Sequence, residues 1–307
     1  MQVKFYGQPV GILLAQSHEL VNSAVELVKI YYEKQVTKTF APTLKEVLNK
    51  DPVRIETLSE YCKIANQFGV NEIHQIKGQF EIEGQYHFTL EPQTCVCVPI
   101  EDGMDVYSAT QWIDATQIAI ADALNVSNNT INMKVRRLGG GFGGKISRPG
   151  QIACAAALAA YFLNCTVRLI MTIEANMTVV GKRYSCFNNY DVELDDNGKI
   201  TKLTNDYVED YGCSTNEPVH FLTTEFSSNC YNNEYFNVIA KRALTDSASN
   251  TWCRSPGTME GIAMIENIME HIARKVNKDP TEVRLSNMQD RCEMKTILQD
   301  FMKSVGK

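Results

Sequence analysis

Gly139-Gly140-Gly141-Phe142-Gly143-Gly144-Lys145 sets five glycines around one aromatic side chain. Upstream, residues 131–138 carry the apolar pattern of a strand; downstream, 150–163 is an alanine-rich helical run. Glycine admits positive φ and lets backbone N–H groups approach a partner without Cβ interference, at about 0.5–1 kcal/mol of entropy per ordered residue. Donors gathered ahead of a helix N-terminus suit an oxyanion or a phosphate. The stretch therefore reads as a built anion-binding loop. As a Walker A loop it is one residue wrong. Gly139-x-x-x-x-Gly144-Lys145 is followed by Ile146, with Ser147 one place late, and an apolar side chain cannot ligate Mg²⁺. Nucleotide binding of the P-loop kind is the weaker alternative.

Outward from the loop, the pattern is mixed. Residues 10–15 form a short apolar run read as a strand, and Ser17 is placed to cap a helix whose Leu20, Ala24, Leu27 and Tyr31 share one face. A helix is expected near 43–49 and a strand over 75–82, with Ile76, Phe80 and Ile82 on one parity; 51–68 gives no clear pattern. Strands are expected at 94–99, 104–108 and 167–171, and a helix at 112–124. Residues 191–194 and 200–211 flank Asp195-Asp196-Asn197-Gly198, a hairpin signal. The C-terminal part reads as helices at 259–276, after Asp279-Pro280, and at 294–305. Strands and helices mix without strict βαβ alternation, so the fold class is α+β.

The chain's 307 residues make one large domain or two ordinary ones. Thirty basic against 36 acidic side chains give a net charge of −6, which offers no basic field for nucleic acid. The longest apolar run, 152–163, falls short of the ~20 residues that cross a bilayer, so no membrane partner is expected. The first residues lack an apolar signal core, which makes the cytosol (a cytoplasmic location) the expected compartment. Ten scattered cysteines with no Cys-x-x-Cys and no ferredoxin spacing are expected to be reduced thiols. His87 and Glu91 lie four apart, but no second His or Cys completes a metal site with them.

The loop with its leader Val135-Arg136-Arg137-Leu138 resembles the molybdopterin-binding segment of the xanthine dehydrogenase/aldehyde oxidase family of molybdenum hydroxylases. Gly84-Gln85-Tyr86-His87-Phe88-Thr89-Leu90-Glu91 is similar to its Gly-Gln-x-His-Phe-x-x-Glu element, and Ser108-Ala109-Thr110-Gln111 to its Ser-Thr-Gln element. Asn250-Thr251-Trp252-Cys253-Arg254-Ser255-Pro256-Gly257 resembles its Asn-Thr-Ala-Phe-Arg-Gly-Phe-Gly element. Gly7-Gln8-Pro9-Val10-Gly11 and the helix behind it look like the α/β hammerhead domain that precedes the molybdenum domain. The resemblance implies a partial hammerhead domain over 1–82 and the first molybdopterin-binding half over 83–307.

By that resemblance, Gln111, Gly141, Phe142, Gly143 and Arg254 would bind the molybdenum–molybdopterin cofactor. Gln111 would donate its amide to an oxygen ligand of the metal, Phe142 its backbone N–H to the inner shell, and Arg254 would contact the pterin side through its backbone. None would ligate the metal directly. A Gln111→Ala change is expected to lower turnover and spare the fold. The family hydroxylates aldehydes (to carboxylic acids) or N-heterocycles with water-derived oxygen. Xanthine-oxidising members carry a glutamate where this chain has Ile146, and an arginine near Leu222 or Thr223; Pro256 replaces an aromatic. Unpaired purine atoms would cost about 1–3 kcal/mol each, so the pocket leans to aldehydes.

The base glutamate belongs to a second molybdenum half, so no residue of this chain is expected to be catalytic. That half, the iron–sulfur (2Fe-2S) clusters and FAD would belong to the full-length form, expected to be a homodimer. A gene fragment, an incomplete gene model or a non-catalytic relic that keeps the fold are the corresponding expectations for the chain as given.

Overall fold

The computed structural model describes residues 2–33, 39–63 and 74–306. In chain order the elements begin with α1 (His18–Val25), α2 (Leu44–Lys50), β1 (Ile55–Cys62), β2 (His74–Ile82), β3 (Thr94–Ile100) and β4 (Gly103–Ser108). Next come α3 (Ile113–Leu124), β5 (Ile131–Met133), α4 (Pro149–Leu163), β6 (Val167–Ile170), α5 (Ile173–Val179) and β7 (Cys186–Leu194). The rest is β8 (Ile200–Asp210), α6 (His220–Phe226), β9 (Phe236–Ala243), α7 (Thr258–Val276), α8 (Pro280–Asn287) and α9 (Glu293–Ser304). Helices and two sheets interleave, the α+β class expected.

The larger sheet has the order β1-β9-β8-β7-β2, antiparallel except for the β8–β9 pair. Its hairpin closes where Asn-Gly predicted it: Gly198 takes φ +76°, and the Asp195 carboxylate accepts from the N–H groups of Asn197 and Lys199. α7 covers this sheet with Met264, Ile265, Ile268, Met269 and Ile272, one helical face, packed on Ile76, Val192, Leu203 and Phe236. Each such side chain contributes about 1.5–3 kcal/mol by burial. The smaller sheet, β5-β4-β3-β6, is covered by α3 and α4. Ala153, Ala156, Ala157 and Ala160 let α4 lie close on Cys95, Cys97 and Val106. All ten cysteines are free; Cys95 and Cys97 hold their sulfurs 3.7 Å apart, on one face of β3. Among the described residues no helix is long and apolar enough to cross a membrane.

Some expectations give way. Residues 10–15 form no strand: they pair with no strand among the described residues, and Ile12 is 50% exposed. A strand needs an edge to bond to, and none of the described strands offers one here. α1 is capped by Ser17 as expected, but it ends at Val25, short of Leu27 and Tyr31, and buries no residue; Leu20 on it and Leu27 beyond it are exposed. β5 stops at Met133, not at 138; after Lys134 donates to the Val106 carbonyl, the chain leaves the sheet to reach the glycine loop. The unpatterned 51–68 stretch holds β1, an edge strand without alternating burial; its residues 64–68 lie outside the described ones. α5, α6 and β9 had no sequence expectation. The end of β2 coincides with the expected boundary at 82/83, yet β1 and β2 are the two edges of a sheet whose centre comes from residues 186–243.

Glu209 of β8 is fully buried beside Glu260 of α7 and accepts a hydrogen bond from the Thr223 hydroxyl. Burial, and next the Glu260 charge, push its carboxyl from the ordinary 4.5 up to about 8 against the opposing Thr223 bond. Between those values the unfolded chain ionises while the folded one keeps its proton, so stability falls as pH rises through that window and levels off above it. E209Q keeps the Thr223 contact and removes this slope. From pH 5 to pH 8 it is expected to gain stability relative to the parent, at about 1.4 kcal/mol per pH unit within that window. Urea unfolding at the two pH values measures it, and parallel slopes would contradict a protonated Glu209.

Candidate functional site

Downstream of β5, residues 134–138 deliver the chain to the glycine loop, and α4 carries it away. Gly140 and Gly143 take φ +93° and +100°, and Phe142 between them sits at +51°. The glycines are required by close neighbours. A Cβ on Gly143 would lie 2.2 Å from the Trp252 carbonyl oxygen, one on Gly141 2.5 Å from Gln111 Oε1, and one on Gly144 2.8 Å from the His87 ring. The bare faces of the loop are thus turned toward three other chain segments, and Phe142 is left 48% exposed at its tip.

Those segments are the ones the motifs single out. Gln111 Oε1 accepts from the N–H groups of Gly143 (3.0 Å) and Lys145 (3.3 Å), while its own N–H donates to the Lys145 carbonyl (2.7 Å). With its oxygen anchored, the exposed Gln111 amide keeps Nε2 unpaired among the described residues. The expectation that Gln111→Ala spares the fold is therefore corrected, because alanine would release two loop N–H groups. From the other side, Arg254 N–H donates to the Phe142 carbonyl (2.9 Å). The Phe142 N–H and the Arg254 guanidinium have no hydrogen-bond partner among the described residues, and Arg254 is exposed. Gln111, Gly141, Phe142, Gly143 and Arg254 thus share one place. Ile146, half-buried, donates its N–H to the Gly143 carbonyl; Pro256 lies in the turn between Ser255 (φ +58°) and Gly257 (φ +70°). Leu222 and Thr223 lie on α6 beneath that turn, where a Cβ on Gly257 would meet Leu222 at 2.6 Å.

Lys145 is 1% exposed and its Nζ lies 2.6 Å from Glu91 Oε2, which also accepts from Gly139 N–H (2.9 Å). Burial pushes the Glu91 carboxyl up, but the Lys145 ammonium and the Gly139 N–H outweigh it and hold the group below its usual range. A lysine spent this way cannot reach a triphosphate, and the P-loop alternative fails on it. His87 uses Nε2–H on the Trp252 carbonyl (2.7 Å); burial pushes its pKa down, so the ring stays neutral and spans the two loops. No group of three His, Cys, Asp or Glu side chains placed to hold a metal ion occurs among the described residues. Gln93 (to the Gly144 carbonyl, 2.8 Å), Glu217 (from Trp252 N–H, 2.7 Å, and Ser147 N–H, 3.3 Å), Arg183 and Glu260 complete the support. Sequence reasoning missed these four. Each is a single polar residue with no local motif, and only the fold reveals its partner.

The donors this cluster leaves unpaired among the described residues are one backbone N–H (Phe142), one amide (Gln111) and one guanidinium (Arg254). The nearby carboxylates of Glu91 and Glu217 are already occupied. Such a set suits a group rich in anionic oxygen.

Residues 48–288 match the family model described as the molybdopterin cofactor-binding domain. The chain is 29% identical over 297 residues to xanthine dehydrogenase 1 of Arabidopsis thaliana, covering 92% of this chain and 21% of that protein. It is 29% identical to an indole-3-acetaldehyde oxidase of Zea mays, covering 94% and 22%. It thus spans about a fifth of the length of the curated relatives it matches. Among solved structures, the aldehyde oxidoreductase of Desulfovibrio desulfuricans ATCC 27774 superimposes with a TM-score of 0.80 at 19% identity, over 95% of this chain and 34% of that one. Quinoline 2-oxidoreductase of Pseudomonas putida 86 does so at 0.79 and 17%, over 95% and 40%.

Proposed function

The chain belongs to the molybdopterin cofactor-binding family of xanthine dehydrogenases and aldehyde oxidases, and on that premise we propose that it forms the molybdopterin-binding part of an oxidoreductase that hydroxylates aldehydes or N-heterocycles. The observation that carries the reading is the convergence of Gln111, Phe142 and Arg254, each presenting an unpaired donor, on one glycine-pinned loop. When bound, the molybdenum–molybdopterin group supplies the two-electron oxidation chemistry by which an electron-poor carbon gains a water-derived oxygen.

This chain's residues bind and orient. Gln111 offers a neutral amide that directs an oxygen without competing as a ligand. The Phe142 N–H adds a fixed dipole for negative charge that grows during reaction. The expected backbone contact of Arg254 to the pterin is corrected, because its N–H is bound to Phe142 and its carbonyl to Arg183; its exposed guanidinium offers charge at that side instead, and its backbone ties the turn to the loop. Gly141 and Gly143 allow the approach that holds all three. Ile146 and Pro256 give the substrate side apolar surface, which favours aldehydes over purines, whose ring-edge atoms would go unpaired.

The general base, the electron-carrying iron–sulfur and flavin groups and a homodimeric, cytoplasmic setting follow from family likeness and are assigned to no residue here. Residues 1–82 as a hammerhead remainder and 83–307 as the molybdopterin-binding half stay part of the proposal.

Metal and pterin analysis of the purified protein carrying this chain tests it. About one molybdenum and one oxidisable pterin per chain are expected, as for a tightly held cofactor. ATP with Mg²⁺ is expected to leave the thermal midpoint unmoved. Active protein free of molybdenum would overturn the reading.

A further inference from the structure

We infer that Arg183 is the positioning residue of the 252–257 turn, the side chain that sets where Arg254 and Phe142 stand; the inference rests on the reading that these two face a molybdopterin group. Arg183 is 4% exposed and lies three residues before β7. Its guanidinium addresses three segments at once. Nε donates to Gln85 Oε1 (3.1 Å), Nη1 to Glu260 Oε1 in the first turn of α7 (3.0 Å), and Nη2 to the Arg254 carbonyl (2.7 Å). Its own N–H donates to the Gln85 carbonyl (2.8 Å), which ties it to the stretch that bears His87 and Glu91.

The third arm is the informative one. Arg254 N–H is already bound to the Phe142 carbonyl, so Arg183 fixes the other polar atom of the same residue and leaves the guanidinium alone. Trp252 at the head of the turn is also held by Glu217 and His87, but from Arg254 to Gly257 only Phe142 and Arg183 hydrogen-bond the turn to another segment among the described residues. Ser255 sits at φ +58° and Gly257 at +70°, and a non-glycine residue there persists only where its surroundings hold it. Charge balance for Glu260, 1% exposed, is by itself a weak reason for a buried arginine. A lysine would balance that charge too. Only a planar fork reaches Gln85, Glu260 and the Arg254 carbonyl together.

The test uses the protein carrying this chain with Trp112→Phe throughout, so that within the chain Trp252, in the turn itself, is the one tryptophan reporter; its fluorescence is resolved against a matched protein that also carries Trp252→Phe. R183K keeps the positive charge beside Glu260 and gives up the fork. Acrylamide quenching of Trp252, thermal unfolding and molybdenum with pterin content are measured side by side. R183K is expected to unfold cooperatively near the parent midpoint, with Trp252 quenching up about twofold and cofactor content down about fivefold, since a single ammonium holds one acceptor at a time. Unchanged quenching, or raised quenching with full cofactor content, would overturn the inference. Should R183K fail to fold, R183M/E260M removes both buried charges together and is read by the same two measurements. Absence of molybdenum from the parent would sink the cofactor reading, and the quenching comparison would still decide the role of Arg183 in the turn.

Discussion

A Gly143→Ala protein is expected to lose its bound cofactor and to unfold with about 3 kcal/mol or more less stability. Two independent penalties fall on this methyl group. Gly143 has φ +100°, outside the range that alanine adopts without strain. Its Cβ would also lie 2.2 Å from the Trp252 carbonyl oxygen and 2.7 Å from the carbonyl carbon. Both are backbone atoms, so no side chain can swing aside. Either the loop retreats and breaks the Gly143 N–H bond to Gln111, or the turn retreats and breaks the Arg254 N–H bond to Phe142. Each movement separates donors that the site needs together. Gly11→Ala is the control: nothing lies within 4 Å of its Cβ position, and its midpoint is expected to move by no more than about 0.5 kcal/mol. Thermal unfolding and molybdenum per chain measure both variants. A stable Gly143→Ala protein with full cofactor would mean that the loop does not pack on the turn.

That packing marks the limit of what can be read from sequence. The glycine cluster announces a built loop because five glycines in seven residues have no cheaper explanation, and the Asn-Gly hairpin and the one-sided stripe of α7 are equally local signals. The motif order also brings Gln111 and Arg254 under suspicion before any coordinates. What the loop leans on is not local. Glu217 reaches Trp252 and Ser147 across 35 and 70 residues, and Arg183 reaches Arg254 across 71. A lone Glu or Arg between elements carries no period and no spacing rule, so these supports stay silent until the chain folds. Residues 10–15 fail in the opposite way: an apolar run is a strand only when an edge is there to receive it, and hydrophobicity cannot report the edge. The lysine of the near-Walker sequence misleads for a related reason. Its meaning depends on Glu91, 54 residues earlier, which buries and neutralises it.

Gln111→Glu and Gln111→Ala are expected to separate the two jobs of one side chain. In the native site Oε1 anchors the loop through Gly143 and Lys145, and Nε2 faces outward as a donor. Glutamate keeps an oxygen at the anchoring position, and a carboxylate accepts N–H bonds at least as well as an amide. The loop and the thermal midpoint are therefore retained. The outward atom changes from a donor to an anionic oxygen, so a group that bonds developing negative charge becomes one that repels it. Loss of one such donor costs about 100–1000-fold in turnover, and that loss is expected for Gln111→Glu in the enzyme carrying this chain, with cofactor content close to the parent's. Alanine removes the anchor as well. Two loop N–H groups then lose their acceptor, at about 1 kcal/mol each, and midpoint, cofactor content and turnover fall together. Rates, midpoints and molybdenum content on the two variants settle it. Wild-type turnover in Gln111→Glu would show that the amide does not face the reaction, whereas a midpoint loss equal to that of alanine would show that the oxygen is not what holds the loop.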